Sequence, residues 1–262
     1  MTSDIHCNDK PYIIAKENLD KVDLVVFPGD YFDSHIGLDE GDRGEQNFEK
    51  YISLKKENPN KVKMLLGNHD IWYLTDYPYS SAGHRPEKGD ERKKLLSDNI
   101  SLFDCCVIQD KWIFSHAGIG QRWLNSPNDL ATFLVARDLE DVHVLEKNWK
   151  LEELNDRIKN PDYWPNFDHL SNVGDGDSPL EGPCWIRVNA LLNVGVKGYN
   201  QCVGHTPYGG AVIPIAKIMA ENPGYEKMFE GREECTYVLT DSPDQSIAYV
   251  VDTISNEVTK LD

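Results

Sequence analysis

Six residues of this chain carry oxygen or imidazole donors within short motifs. Asp4 and His6 lie in Ser3-Asp4-Ile5-His6, Asp30 in Gly29-Asp30-Tyr31-Phe32-Asp33, and Asn68 in Gly67-Asn68-His69-Asp70, followed by His116 and His205. Hard oxygen and imidazole nitrogen together suit manganese, iron, zinc or magnesium rather than a soft-metal thiolate site. A carboxylate such as Asp30 has two oxygens and can bridge two ions, which neutral Asn68 does less readily. Two divalent cations roughly 3.5 to 4 Å apart bring a bridging water to hydroxide near neutral pH and neutralise phosphoryl oxygens during in-line attack. The series therefore points to hydrolysis of phosphate esters, with the metal pair in place of a covalent nucleophile.

Such donors need rigid elements behind them. Val22 to Phe27 is an almost unbroken apolar run ending in Pro-Gly-Asp, the pattern of a buried strand that delivers Asp30. Lys61 to Leu66 repeats it and delivers Asn68 and His69. Leu102 to Ile108 and Trp112 to Phe114 predict two more strands, the second ending in Ser115-His116-Ala117-Gly118; Gln201 to Val203 leads into Gly204-His205-Thr206-Pro207. Helices are predicted around Pro11 to Asn18, Phe48 to Glu57 and Glu87 to Leu96. The alternation is an α/β plan, in which ligands gather at the carboxyl ends of strands. Cys235 to Leu239, Ile247 to Val251 and Ile254 to Leu261 read as antiparallel strands of a second sheet. One-sided apolar stripes predict a helical cap inserted at about 127–170, and Asn172 to Pro183 reads as a loop. A length of 262 residues is taken as one domain.

The formal charge of -17, from 44 acidic and 27 basic residues, repels an extended polyanion, so no long nucleic acid is expected as partner. A phosphorylated small molecule or a phosphoprotein fits better, since bound cations supply positive charge where the phosphate sits. The sequence contains neither a membrane-length apolar run nor the pattern of a secretory leader, and a cytoplasmic location is expected. Its six cysteines lack Cys-x-x-Cys spacing and read as reduced, buried fillers.

In order and nearly end to end, the five motifs resemble the calcineurin-like metallophosphoesterase superfamily. The single histidine of Gly204-His205-Thr206 resembles the branch holding the protein serine/threonine phosphatases and the diadenosine tetraphosphate hydrolases. The resemblance implies a four-layer αββα sandwich with two mixed sheets. It implies that Asp4, His6 and Asp30 hold a first metal, while Asp30, Asn68, His116 and His205 hold a second. It also implies that His69 protonates the leaving oxygen and that Asp33 orients His69. Manganese is the first expectation for the two ions, with iron, zinc, nickel and magnesium as alternatives.

The sequence departs from that pattern in three places. Asp33 is followed by Ser34-His35 where the phosphatase branch carries Arg-Gly, so the usual phosphate clamp is absent. Arg187, in a Trp-x-Arg segment like that of the diadenosine hydrolases, is the replacement candidate. Arg43 and Arg85 are weaker ones. His35 is either a surface residue or a substrate contact, and Tyr208 is a candidate for the mouth of the site. His84 and His143 are expected at the surface, while Trp123, Trp149, Tyr163 and Trp164 are expected to pack the cap. Only three residues precede Asp4, so the first donor loop is expected to lack a full supporting strand, unless the true start lies upstream. Cys7 stands where glycine commonly follows the histidine. The leading expectation is a dinuclear phosphomonoesterase. Its rivals are a nucleotide phosphodiester or dinucleoside polyphosphate hydrolase and a catalytically silent metal-binding scaffold.

Overall fold

The computed structural model describes residues 1–34, 43–75, 82–125, 151–164, 176–243 and 245–261. Val25–Phe27 (β1), Val62–Leu65 (β2) and Phe103–Asp104 (β3) pair in parallel in the order β1-β2-β3, with Val25 opposite Val62 and Met64 opposite Phe103. All three residues of β1 are buried, which is why the sequence shows an unbroken apolar run and no alternation. A five-stranded mixed sheet follows: Cys106–Gln109 (β4), Trp112–Ser115 (β5), Asn200–Val203 (β6), Ala211–Pro214 (β7) and Thr236–Leu239 (β8), in the order β4-β5-β6-β8-β7. Ala248–Val251 (β9) and Val258–Leu261 (β10) form an antiparallel hairpin. The fold is α/β, with the sheets flanked by helices.

The run from Leu102 to Ile108 is two strands rather than one. It breaks at Cys105, where the chain leaves the parallel sheet and enters the mixed one. Asn155 holds the break: its Oδ1 accepts the N–H groups of Cys105 (2.8 Å) and Cys106 (3.1 Å), and its Nδ2 donates to Cys106 O (2.9 Å). An apolar run shows no sign of this, because both halves are buried and the satisfying side chain lies about fifty residues away. Within the expected cap, residues 151–164 are described, and Leu154, Ile158 and Trp164 pack into the main core. Trp123 and Tyr163 pack there too, while Trp149 and His143 lie outside the described residues.

Lys10–Asn18 (α1), Arg43–Glu57 (α2), Asn68–Leu74 (α3), Gly89–Asp98 (α4), Val188–Val194 (α5) and Ile215–Glu221 (α6) are the main helices. Residues Phe48, Tyr51, Ile52 and Leu54 give α2 a buried face. Tyr31, next to Asp30, meets Phe48, Tyr51 and Phe103 edge-on at centroid distances of 5.4, 5.7 and 5.6 Å. Each such pair contributes roughly 0.5–1.5 kcal/mol beyond burial, so the Asp30 loop is anchored by aromatic packing directly behind it.

The first donor segment is better supported than the sequence suggests. Thr2, Ile5, His6 and Cys7 donate backbone N–H groups to Val26, Gly29, Asp30 and Tyr31, while Ser3 donates to Ile247 and Tyr249 donates to Met1. Residues 1–7 thus run between β1 with its following loop on one side and the start of β9 on the other. All six cysteines are buried and none forms a disulfide. No helix among the described residues is long and apolar enough to cross a membrane.

Candidate metal centre

His6, Asp30, Asn68, His116 and His205 meet near the carboxyl ends of β1, β2, β5 and β6, while Asp4 lies against His205 and His116, its Oδ2 accepting the His205 N–H at 2.8 Å and its Oδ1 3.9 Å from His116 Nδ1. Asp30 is the hub. Its Oδ2 lies 3.5 Å from His116 Nε2, 3.7 Å from His6 Nε2 and 4.0 Å from His69 Nε2. Among the described residues two groups that could hold a cation result, His6 with Asp30 and His69, and Asp30 with His116 and His205. Asn68 Oδ1 and His205 Nδ1 lie 3.0 and 3.2 Å from His116 Nε2, which brings Asn68 to the second group.

Backbone geometry explains why these residues sit at turns. His6, Asp30, Asp33 and His205 have φ of 44°, 56°, 62° and 61°. Left-handed backbone costs non-glycine residues energy, and the concentration of it here is typical of functional sites. Two glycines admit the close approach of the loops. A Cβ on Gly67 would collide with Asp30 Oδ1, and one on Gly204 would collide with Asp4 Oδ1.

The fit to cations can be tested from protons. His116 Nδ1 lies 3.0 Å from Pro28 O and His6 Nδ1 2.8 Å from Asp33 O, so each ring donates there and turns an Nε2 lone pair toward Asp30. The Nε2 lone pair of His116 therefore faces oxygens of Asp30 and Asn68 at 3.5 and 3.0 Å, with His205 Nδ1 3.2 Å away. Asp4 Oδ1, His205 Nε2 and Asp241 Oδ1 are buried without a hydrogen-bond partner among the described residues. Such convergence is unfavourable unless a cation occupies the centre.

The acid–base balance agrees. Burial and the nearby charges of Asp241 and Asp30 push the Asp4 carboxyl well above its usual range. Burial and Asp30 push Asp70 to about 8, and burial and Asp30 push Asp241 to about 7. Burial also acts on Asp30, but the surrounding histidines, His116 foremost, outweigh it and hold its carboxyl low. Burial lowers His116 and His205, keeping both imidazoles neutral and able to ligate. His69 differs: burial lowers it, yet the charges of Asp30 and Asp33 carry it up to about 8.

His69 Nδ1 donates to Asp33 Oδ2 at 2.9 Å, leaving Nε2 toward the centre. A cavity of about 530 Å³ opens above, lined by His6, Asp30, Asn68, His69, Arg187 and His205, with Trp72, Trp185 and Asp241. A cavity of similar volume, between α1, β1 and the β9–β10 hairpin, contains none of the donor residues. Arg187 donates to His205 O at 3.4 Å and stacks over the Trp185 ring at 5.5 Å. Tyr208 is exposed and outside the cavity lining; Arg43 is exposed on α2, and Arg85 pairs with Glu87 at 2.8 Å. His35 lies outside the described residues. His84 is not a surface residue: it is half-buried, packs on Tyr73 at 4.9 Å, and its Nδ1 lies 3.9 Å from Asp33 Oδ2.

The sequence reading missed Asp241, Trp72, Tyr73 and Arg92. Asp241 accepts the Asp4 backbone N–H and follows β8 directly, a strand-end position that was a usable signal. Arg92 offers none, since Gly89–Asp98 is so charged that it reads as a solvated face.

Residues 1–209 match the family model described as calcineurin-like phosphoesterase. The chain belongs to this family. With its two clusters of His and Asp donors, the phosphoesterase is a hydrolytic metalloprotein in general terms. Among solved structures it is similar to a cold-active protein-tyrosine phosphatase of the psychrophile Shewanella sp., at 15% identity and TM-score 0.50, with 100% of this chain and 79% of that chain covered. A point mutant of a cold-active protein tyrosine phosphatase gives 16% identity and TM-score 0.51, with the same coverage. These likenesses are of fold. No curated protein matches the sequence significantly.

Proposed function

We propose that this phosphoesterase is a phosphomonoesterase of the protein serine/threonine phosphatase and diadenosine tetraphosphate hydrolase branch, acting on a phosphorylated small molecule or a phosphoprotein. The observation that carries the reading is the position of Asp30 Oδ2, which faces three imidazole Nε2 atoms at 3.5 to 4.0 Å and belongs to both donor clusters. Asp4, His6 and Asp30 would hold one divalent ion and Asp30, Asn68, His116 and His205 the other, with manganese the first choice. When bound, the ions supply an activated water and neutralise charge on the phosphoryl oxygens.

The chain's own residues do the rest. Arg187 grips the phosphate with its planar fork, held flat by Trp185. His69, oriented through Nδ1 by Asp33, offers its Nε2 proton to the leaving oxygen. The cavity of about 530 Å³ is the size of a small-ligand site, and both residues line it.

Initial rates of the metal-reconstituted protein on p-nitrophenyl phosphate and bis-p-nitrophenyl phosphate test the proposal. A kcat/KM at least about tenfold higher on the monoester is expected, a difference of about 1.4 kcal/mol in the barrier. Preference for the diester overturns the monoesterase reading, and two bound ions with no turnover on either substrate favour a scaffold.

A further inference from the structure

Arg92 is fully buried on α4, and its side-chain hydrogen bonds run to the residues that support the site. Nη1 donates to Asp33 Oδ1 at 3.0 Å and to the Tyr73 hydroxyl at 2.9 Å, while Nε donates to Glu45 Oε1 at 2.7 Å. The guanidinium lies 4.8 Å from the Phe32 ring centroid and 5.4 Å from that of Tyr73. Tyr73 itself donates to Asp33 Oδ1 at 2.5 Å. One oxygen of Asp33 is therefore taken by Arg92 and Tyr73, and the other accepts His69 Nδ1.

The arrangement fixes the torsion of a carboxylate that is itself fully buried. Glu45 balances the charge of Arg92 on its far edge, so the guanidinium orients Asp33 without leaving a net buried cation. Lysine cannot reproduce this, because one ammonium does not offer two rigid edges to two carboxylates. The residue following Asp33 is Ser34, so the support for the Asp33–His69 pair comes from a helix almost sixty residues onward.

We propose that Arg92 is a positioning residue for the departure of the leaving group: by locking Asp33 it aims the His69 Nε2–H at the bridging ester oxygen. The proposal rests on the reading of His69 as proton donor. In that step an incoming water oxygen bonds to phosphorus and sheds its proton to solvent, the P–O bond to the leaving group breaks with its electron pair staying on the leaving oxygen, and His69 gives that oxygen its proton and becomes neutral.

The test is the dependence of kcat on leaving group, measured with the full metal-reconstituted chain on phenyl phosphate and dinitrophenyl phosphate. Dinitrophenolate departs without a proton, so only phenyl phosphate needs the aimed donor. Arg92→Lys is expected to lose at least about tenfold more kcat on phenyl phosphate than on dinitrophenyl phosphate, at unchanged metal content. The ratio of the two losses is independent of the fraction of enzyme that is folded, so partial unfolding does not imitate the result. Should Arg92→Lys fail to fold, Glu45→Gln takes its place, releasing one edge of the guanidinium and giving a smaller selective loss of the same sign.

His69→Asn is the reference. If it shows the selective loss while the Arg92 and Glu45 variants lose both substrates equally or neither, Arg92 is a packing residue and the proposal is overturned. If His69→Asn itself lowers both rates equally, the proton-donor reading falls and the proposal falls with it.

Discussion

The Asp70 carboxylate accepts the backbone N–H of Asp30 at 2.8 Å, forty residues away in sequence. The same group accepts Tyr31 N–H at 3.0 Å and Gly67 N–H at 2.9 Å, so one side chain ties the loop after β1 to the loop after β2. Asp30 is held in its left-handed turn by this contact as well as by the Tyr31 ring packing behind it.

Replacing Asp70 with asparagine keeps the volume but sets an amide NH2 against backbone N–H donors. A buried donor left without an acceptor costs about 1–3 kcal/mol, and asparagine leaves at least one. Asp70→Asn is expected to lower stability by about 2 kcal/mol and to weaken metal binding by roughly 10- to 100-fold, as loss of a ligand's outer support does. Denaturant unfolding and calorimetric metal titration measure the two effects; unchanged affinity would mean that Asp30 keeps its position without Asp70.

A contrast between two glycines checks the loop packing. Gly204→Ala drives a Cβ into Asp4 Oδ1, which forces the loops apart, whereas a Cβ on Gly89 meets nothing within 4 Å among the described residues. Gly204→Ala should abolish binding of at least one ion, and Gly89→Ala, in α4, should bind both and gain about 0.5–1 kcal/mol from reduced backbone freedom. Metal content after gel filtration and the unfolding midpoint separate the two.

The candidate donors after β1, β2, β5 and β6 stand out in sequence because each closes an apolar strand run with a short polar motif, His116 and His205 most plainly, whereas Asp4 and His6 follow no such run. What joins the loops was not legible. Asp70 carries no pattern that reveals its three N–H partners. The Cys105 crossover hides inside one apolar run. Arg92 sits on a charged helix and is nonetheless fully buried, since its partners Glu45 and Asp33 come from distant segments. Periodicity reports which face a residue takes, and pairing between remote polar groups leaves no period.

The metal-free protein should lose stability as pH rises through neutrality. Asp70 and Asp241 are pushed to about 8 and about 7 by burial and the charge of Asp30, and His69, against the effect of its burial, is carried to about 8 by Asp30 and Asp33. Each folded value exceeds the unfolded one, so the native state keeps protons that the unfolded state has released, and stability falls as pH climbs to the folded value. His116 and His205, lowered by burial, act in the opposite sense below about pH 6.5, the ordinary histidine value. From about 6.5 to about 8 the three raised groups act together, opposed by the Met1 amino group, which burial lowers. Thermal unfolding in chelator should show Tm falling across that range. Asp241→Asn should flatten the fall and added manganese should reverse it, whereas a chelated protein whose Tm rises there contradicts the crowded-carboxylate picture.

Arg187 reaches the cavity wall on a different support from Arg92. It is partly exposed, stacks over Trp185 at 5.5 Å and touches His205 O at 3.4 Å, so it faces the cavity beside one donor cluster and not behind it. A guanidinium that grips phosphate contributes mainly to binding, because the phosphoryl oxygens are charged before as well as during the reaction. Arg187→Lys retains the charge but not the bidentate fork, and is expected to raise KM for a monoester about tenfold with kcat changed less than about threefold. Trp185→Leu leaves the arginine but removes its flat support, and should raise KM in the same direction by a smaller factor. Inorganic phosphate, as a competitive inhibitor, should weaken in parallel with KM in both variants. A fall in kcat with KM and phosphate affinity intact would place Arg187 in the chemical step and remove it from ground-state binding.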